Sequence, residues 1–331
     1  MRAPEFWYPN RAGLPWQARL LSPLAAIYGC GTRIRLRRAP TYSPKIPVIC
    51  VGNINAGGTG KTPTVIALAQ RLQEQGKSPA ILSRGYGGEV RAPKRVNPES
   101  DKAAKVGDEA LLMAAFAPVW VANDRSDGAR EAETSGAGVL ILDDGFQDPS
   151  VAKSLSLVVI DAAAGFGNGR VIPAGPLREP VRAGLDRADA VVIIGAEADQ
   201  RALTPALPDG LPRLQARLEP LPTGLPFHDL PVLAFAGIGR PAKFFGTLEA
   251  LGAKILRAVA LGDHQPLTPA LMARLEAEAK AKGAQLVTTE KDAVRLPASF
   301  RNKVVTLPVR LVFSDNNALD DVLAKIEKNR P

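Results

Sequence analysis

Cysteine is almost missing from this 331-residue chain; Cys30 and Cys50 are the whole supply. Their spacing is not that of a metal site and two thiols make no disulfide scaffold, which points to a reducing, cytosolic compartment. Histidine is as scarce, with His228 and His264 alone. Acidic residues are the minority charge, 33 against 42 Lys and Arg, and the net charge of +9 favours an anionic partner: nucleotide, nucleic acid or acidic lipid. A hydrophobic fraction of 46% and a charged fraction of 23% exclude a disordered or collagen-like chain. The apolar run Leu20–Gly31 (LLSPLAAIYGCG) is about a dozen residues, short of the ~20 that cross a bilayer. Arg33, Arg35, Arg37 and Arg38 follow it and Trp7, Tyr8 and Trp16 precede it, the reverse of a secretory signal. This pattern predicts a segment that lies on or dips into the cytoplasmic leaflet, held by aromatics and arginine.

Residues 46–52 (IPVICVG) read as a buried strand, residues 53–60 as a glycine-rich turn, and Lys61–Gln75 as a helix closed by Gly76. Apolar runs recur at Pro79–Leu82, Val119–Ala122, Val139–Leu142, Leu157–Ile160 and Ala190–Ile194 with helical material between them, which predicts a parallel sheet covered on both faces. Seven prolines fall in the 27 residues Pro205–Pro231, where a linker with one extended strand at Arg213–Glu219 is expected. Later strands are expected at Val232–Ala236, Lys254–Ala260, Gln285–Thr288 and Val304–Leu307. A helix Pro269–Lys282 has Thr268 as its cap.

The turn 55–62 reads NAGGTGKT, a phosphate-loop pattern in which Asn55 replaces the first glycine. Main-chain amides of Asn55, Ala56, Gly57, Gly58, Thr59 and Gly60 are expected to face the phosphates of ATP. Lys61 adds a point charge, and Thr62 offers its hydroxyl to Mg²⁺. The expected partner strand ending in acid is VLILDD, with Asp143 and Asp144 as Mg²⁺ ligands.

Such loops serve GTPases, partitioning ATPases and kinases. Against a GTPase, Thr289-Glu290-Lys291-Asp292 carries its lysine one position late for guanine recognition. Against a partitioning ATPase, Ala56 stands where a signature lysine precedes the glycine pair. For a kinase, polar strings gather after the strands: SRGYGG from Ser83, GDE from Gly107, NDR from Asn123, DDGFQ from Asp143, GNGR from Gly167 and PAGPLREP from Pro173.

Taken as a set with VGNINAGGTGKTP, AGIGRPAKFF, Asp263-His264 and TTEKD, these strings resemble the tetraacyldisaccharide 4′-kinase family. The resemblance implies transfer of the γ-phosphate of MgATP to the 4′-hydroxyl of a tetraacylated glucosamine disaccharide 1-phosphate. It places the work at the cytoplasmic face of the bacterial inner membrane, with a lipid rather than nucleic acid as partner. It also implies an α/β fold: an N-terminal membrane-associated segment (1–44), a P-loop NTPase-type parallel-sheet kinase domain (45–204), a proline-rich linker (205–231) and a smaller α/β domain (232–331). Asp108 in VGDE is implied as the base, paired with His264 from the second domain. Arg125 is a candidate for charge in transit, Glu179 for assisting the metal, and Ser83, Arg84, Tyr86, Gln147 and Asn168 for contacts to substrate. Two positions depart from the family pattern, Asp148 and Gln265, where many members carry histidine.

Overall fold

The apolar runs become strands buried on both faces: β1 (Val48–Gly52), β2 (Pro79–Ser83), β4 (Val119–Val121), β5 (Val139–Asp143), β6 (Leu155–Asp161) and β7 (Ala190–Ile194), with the short β3 (Lys94–Arg95) preceding β4 in the chain. The computed structural model describes residues 3–9, 13–90 and 92–329. Its larger sheet has nine strands in the order β13-β8-β7-β6-β1-β5-β2-β4-β3, where β8 is Arg213–Pro220 and β13 is Val309–Phe313. The strands from β8 to β4 run parallel, and each edge is closed by an antiparallel strand. Because β1 lies between β5 and β6, the chain leaves it in both directions, and a crevice opens beyond its carboxyl end.

Helices α1 (Trp16–Leu20), α2 (Ser22–Leu36), α3 (Lys61–Glu74), α4 (Ala103–Val106), α5 (Asp108–Met113) and α6 (Arg125–Thr134) follow in chain order. In α3, Val65, Leu68, Ala69 and Leu72 are fully buried, and each large aliphatic contributes about 1.5–3 kcal/mol of burial. The helix stops because Gly76 turns left-handed, and Lys77 N donates to Leu72 O at 2.9 Å.

A second sheet, all parallel, has the order β10-β9-β11-β12, from β9 (Pro231–Ala236), β10 (Lys254–Ala260), β11 (Gln285–Thr289) and β12 (Val304–Leu307). The helix Pro269–Ala281 packs there with the Thr268 side chain accepting from Leu271 N.

The expected domain boundaries need correction on one point. The stretch 205–231 contains β8, a full member of the larger sheet, and the expected smaller domain 232–331 gives its end back, because β13 returns to pair with β8. In β8, Leu214 and Ala216 face inward while Gln215, Arg217 and Leu218 are exposed; its outer backbone edge needs a partner, and β13 supplies it. The returning segment is tied to α3 by Arg71–Asp320 and to the turn after it by Lys77–Glu327 at 2.8 Å.

At the other end, the expected membrane-associated segment forms α1 and α2. Among the described residues no helix is long and apolar enough to cross a membrane. The expected helix is therefore present, but a fold in which it is a membrane element is not supported. Trp16, Leu20, Leu24, Ile27 and Ile34 stand exposed along it.

Candidate active site

The phosphate loop follows β1 directly into α3. Gly60 has φ +97°, a left-handed conformation open to glycine, and a Cβ there would lie 2.5 Å from Ile194 Cδ1. Asn53 braces the turn from beneath, its Nδ2 donating to Gly57 O (3.2 Å) and Thr59 Oγ1 (3.0 Å). One expected nucleotide contact is already committed: the Ala56 amide donates to Pro176 O at 2.7 Å, and beside it the Asn55 side chain donates from Nδ2 to Gly165 O at 3.0 Å. These residues pin the loop to the segment 165–178, which leaves Gly58–Thr62 facing a cleft of about 270 Å³. Across that cleft stand Gly239, Lys243, Phe244 and Lys291 of the second sheet's layer. The Gly58 amide nitrogen lies only 3.7 Å from where a Cβ on Gly239 would sit.

At the end of β5 two neighbouring carboxyls are held in opposite states. Burial, with the Glu109 charge adding to it, pushes Asp143 up to about 7 against the pull of Lys61. Burial also opposes ionisation of Asp144, but Lys61 and Arg178 outweigh it and hold that carboxyl down to about 2. Lys61 Nζ lies 3.7 Å from Asp144 Oδ1, and Arg178 donates to both Asp144 oxygens at 2.8 and 3.2 Å. Asp143 Oδ2 accepts from Ser83 Oγ at 3.0 Å, while its buried Oδ1 has no partner. Among the described residues no group of three or more metal-type side chains gathers. A hard cation that keeps waters and phosphate oxygens needs just one or two carboxylates, so an unpartnered Asp143 oxygen at the end of the strand next to β1 fits Mg²⁺.

Next to Glu109, Gly107 (φ +89°) sits where a Cβ would lie 2.9 Å from Tyr86 O and 3.0 Å from Gly85 C, and Asp108 follows it as the first residue of α5. Asp108 Oδ2 lies 2.9 Å from His264 Nδ1. His264 itself has φ +57° on a loop whose Gly262 amide donates to Gln265 Oε1 at 2.9 Å, so Gln265 closes that loop. Lys291 Nζ reaches Glu109 Oε1 (3.0 Å) and His264 Nε2 (3.3 Å). Arg295 Nε is 3.5 Å from Asp108 Oδ2, and its other nitrogens hold Gln265 O and Gly237 O. Burial works against the charge on Asp108, but the hydrogen bond from His264 and the Lys291 charge keep the carboxyl below its ordinary value. The same hydrogen bond holds His264 above its ordinary value.

Several expected contacts lie in the scaffold instead. Arg125 is buried and donates to Asp143 O (2.6 Å) and Asp144 O (3.0 Å), so it fixes the carboxylate turn rather than facing the cleft. Glu179 is buried, and one Arg187 nitrogen donates to both of its oxygens at 2.6 Å. Gln147 donates to Asn53 O and Glu179, and accepts from Arg178. Asn168 donates to Phe6 O (3.0 Å) and Ala174 O (2.9 Å), anchoring the N-terminal segment. Ser83 serves Asp143. Arg84 pairs with Asp148 at 2.8 Å, and Asp148 also faces Arg125 at 3.5 Å, an acid doing scaffold work at the first departing position. Tyr86 is exposed, its ring 5.6 Å from that of His264.

Sequence reasoning passed over Arg178, Lys291, Arg295 and the Asp161–Arg240 pair (2.9 Å) that joins the two layers beside the phosphate loop. Arg178 and Lys291 sat in quoted strings, PLREP and TTEKD. Their signal was a cation next to a carboxylate of the site.

A glycine loop between a buried strand and a helix, with a lysine and a paired acidic strand end, defines a phosphate-loop nucleotide-binding protein. A family model described as tetraacyldisaccharide-1-P 4′-kinase matches residues 17–328. The tetraacyldisaccharide 4′-kinase of Jannaschia sp. is 57% identical over 98% of this chain and 99% of that protein. That of Dinoroseobacter shibae is 55% identical over 99% and 98%. The crystal structure of the apo form of LpxK from Aquifex aeolicus in complex with ATP superposes with a TM-score of 0.76 at 26% identity, covering 93% of this chain and 99% of that one. The chain belongs to the tetraacyldisaccharide 4′-kinase family.

Proposed function

We infer that this protein is an ATP-dependent kinase that phosphorylates the 4′-hydroxyl of a tetraacylated glucosamine disaccharide 1-phosphate in lipid A biosynthesis. One observation carries the reading within the molecule: the phosphate loop lines a cleft together with Glu109 and Lys291, and these two flank the Asp108–His264 hydrogen bond that joins the larger domain to the smaller. A transferable phosphoryl group and an acceptor hydroxyl meet there.

The chemistry asks for alignment, charge neutralisation and a proton acceptor. Amides of Gly57–Thr62 and the Lys61 ammonium hold the triphosphate. Thr62 and Asp143 are the residues that would hold Mg²⁺, with Asp144 beside them; when bound, the cation neutralises charge on the β- and γ-phosphates. Asp108, ionised at neutral pH, takes the hydroxyl proton as the 4′-oxygen bonds to the γ-phosphorus. The bond from that phosphorus to the β–γ bridging oxygen breaks, and ADP leaves. His264 orients the carboxylate from across the cleft.

The acyl chains of such a substrate lie in a bilayer. The exposed Trp16, Leu20, Leu24, Ile27 and Ile34, followed by Arg33, Arg35, Arg37 and Arg38, support an α1–α2 surface that rests on the anionic cytoplasmic leaflet of the inner membrane without crossing it.

Incubating pure protein with MgATP and the detergent-dispersed disaccharide 1-phosphate tests the reading by mass. It predicts a gain of one phosphate on the lipid. ATP hydrolysis with unmodified lipid would instead mark a nucleotide switch.

A further inference from the structure

His264 stands between two carboxylates. Its Nδ1 is 2.9 Å from Asp108 Oδ2, and its Nε2 is 3.7 Å from Asp263 Oδ1. Left to those neighbours, the ring would take up a second proton and sit as an imidazolium, since each flanking carboxylate favours the charged form. Lys291 intervenes. Its ammonium lies 3.3 Å from Nε2, 3.0 Å from Glu109 Oε1 and 3.7 Å from Asp263 Oδ1. An ammonium has three N–H donors and no acceptor, so Nε2 meets it as a lone pair. The single ring proton is then on Nδ1, where it donates to Asp108.

We propose that Lys291 is a positioning residue that holds the Nε2 lone pair of His264, so that the neutral ring carries its proton on Nδ1 beside Asp108 and a second proton on Nε2 is opposed. The proposal rests on the kinase reading for its purpose, and on the Lys291–His264–Asp108 geometry for its content. A permanent imidazolium would place a full positive charge against Asp108 and weaken its hold on the hydroxyl proton. Lys291 opposes that charge on the ring and places its own on the far side, beside Asp263 and Glu109. Other groups around the ring are Tyr86, whose ring is tilted 59° to it at 5.6 Å, and Arg295, which approaches Asp108 rather than the imidazole. The Lys291 charge lowers the proton affinity of His264 against the larger upward pull of Asp108, in keeping with this role. Lys291 comes from the smaller domain and Glu109 from the larger, so the control is exerted only while the cleft is drawn together.

The two-histidine composition makes the test clean, because ¹⁵N-histidine labelling yields two ring systems and His228→Gln assigns one of them. In the intact protein, once the pH has passed the His264 midpoint, the neutral ring should give the Nδ1–H pattern. In Lys291→Met the titration midpoint should move further upward, so that the imidazolium pattern persists at a pH where the intact protein shows the neutral ring, and Lys291→Arg should bring the midpoint back. Loss of Lys291 leaves Glu109 and Asp263 a third or more exposed to water, so folding should survive; Lys291→Gln provides a second variant. In kinetics, the acid limb of the kcat profile should move up, costing about tenfold more at pH 6.5 than at pH 8.5, with KM for ATP held within about twofold. An unmoved His264 titration in both variants overturns the proposal. So does a raised KM for ATP with an unmoved acid limb, which would make Lys291 a nucleotide contact. Failure of the kinase reading itself would appear as absent lipid product, and the spectroscopic arm does not depend on it.

Discussion

The two sides of the cleft are built in different ways. On the phosphate-loop side, every group comes from strand ends of one sheet: Lys61 after β1, Asp143 and Asp144 at β5, Ser83 at β2. They are set by burial and by short hydrogen bonds within that layer. On the other side, Asp108 belongs to the larger domain while His264, Lys291 and Arg295 come from two separate stretches of the smaller one. They meet through ion pairs that cross the cleft, Lys291–Glu109 at 3.0 Å and Arg240–Asp161 at 2.9 Å. Gripping a triphosphate is a local task that one contiguous motif performs. Setting the protonation of a base is a tertiary task, and it depends on two domains being together.

If that division is right, the first side should fail outright and the second by degrees. Lys61→Ala should reduce phosphate transfer to less than about a thousandth while leaving the far-UV circular dichroism unchanged; full activity in that variant would refute the loop assignment. Asp108→Asn should lower kcat by about 10²–10³ with KM for ATP nearly constant, measured by initial rates of lipid phosphorylation. A larger change in KM than in kcat would place Asp108 on the nucleotide side.

A third comparison uses stability. The folded protein holds a proton on Asp143 up to about pH 7, whereas the unfolded chain releases it in the ordinary carboxylate range near 3.8. The raised value means that the folded state binds more protons in that window. Its contribution to stability therefore falls as pH climbs from about 4 to about 7. Without nucleotide or metal, Asp143→Asn should lose this slope and melt at least ~2 °C above the parent at pH 8. The advantage should shrink toward pH 5. A constant difference across that range would show that Asp143 is not a buried neutral acid.

The smallest effect on turnover should come from the cross-cleft clasp. Asp161→Asn removes the partner of Arg240 and Lys243, which are themselves a third or more exposed, so about 1 kcal/mol or less is at stake. KM for ATP should rise severalfold at most. Away from the cleft, deleting residues 1–38 should reduce cosedimentation with anionic liposomes, and equal partitioning would remove the case for a membrane-resting surface.

Much of the larger sheet was legible because its strands are buried on both faces and read as unbroken apolar runs, and because Gly60 and Gly76 mark the loop and the helix end. The return of β13 was not, since Val309–Phe313 looks like any short strand and its partner β8 lies about ninety residues earlier. For the site, the positions of Lys61, Asp143, Asp144, Asp108 and His264 were named from motif strings. Which donors were already spent could not be read there. Arg125, Glu179, Gln147 and Asn168 have the same residue types as working site groups, yet their atoms are committed to Asp143 O, Arg187, Asn53 O and Phe6 O. Lys291 was missed for the converse reason: its meaning lies in a nitrogen of His264 that is distant in sequence and adjacent in space.

The account depends most on the turn Gly57–Thr62 gripping a triphosphate tail beside Asp143. A crystal structure of the protein with a non-hydrolysable ATP analogue and Mg²⁺ measures this directly. The β- and γ-phosphate oxygens should accept from those main-chain amides and from Lys61, with the cation between Thr62, Asp143 and the phosphates. A nucleotide bound elsewhere, with that turn vacant, would contradict it.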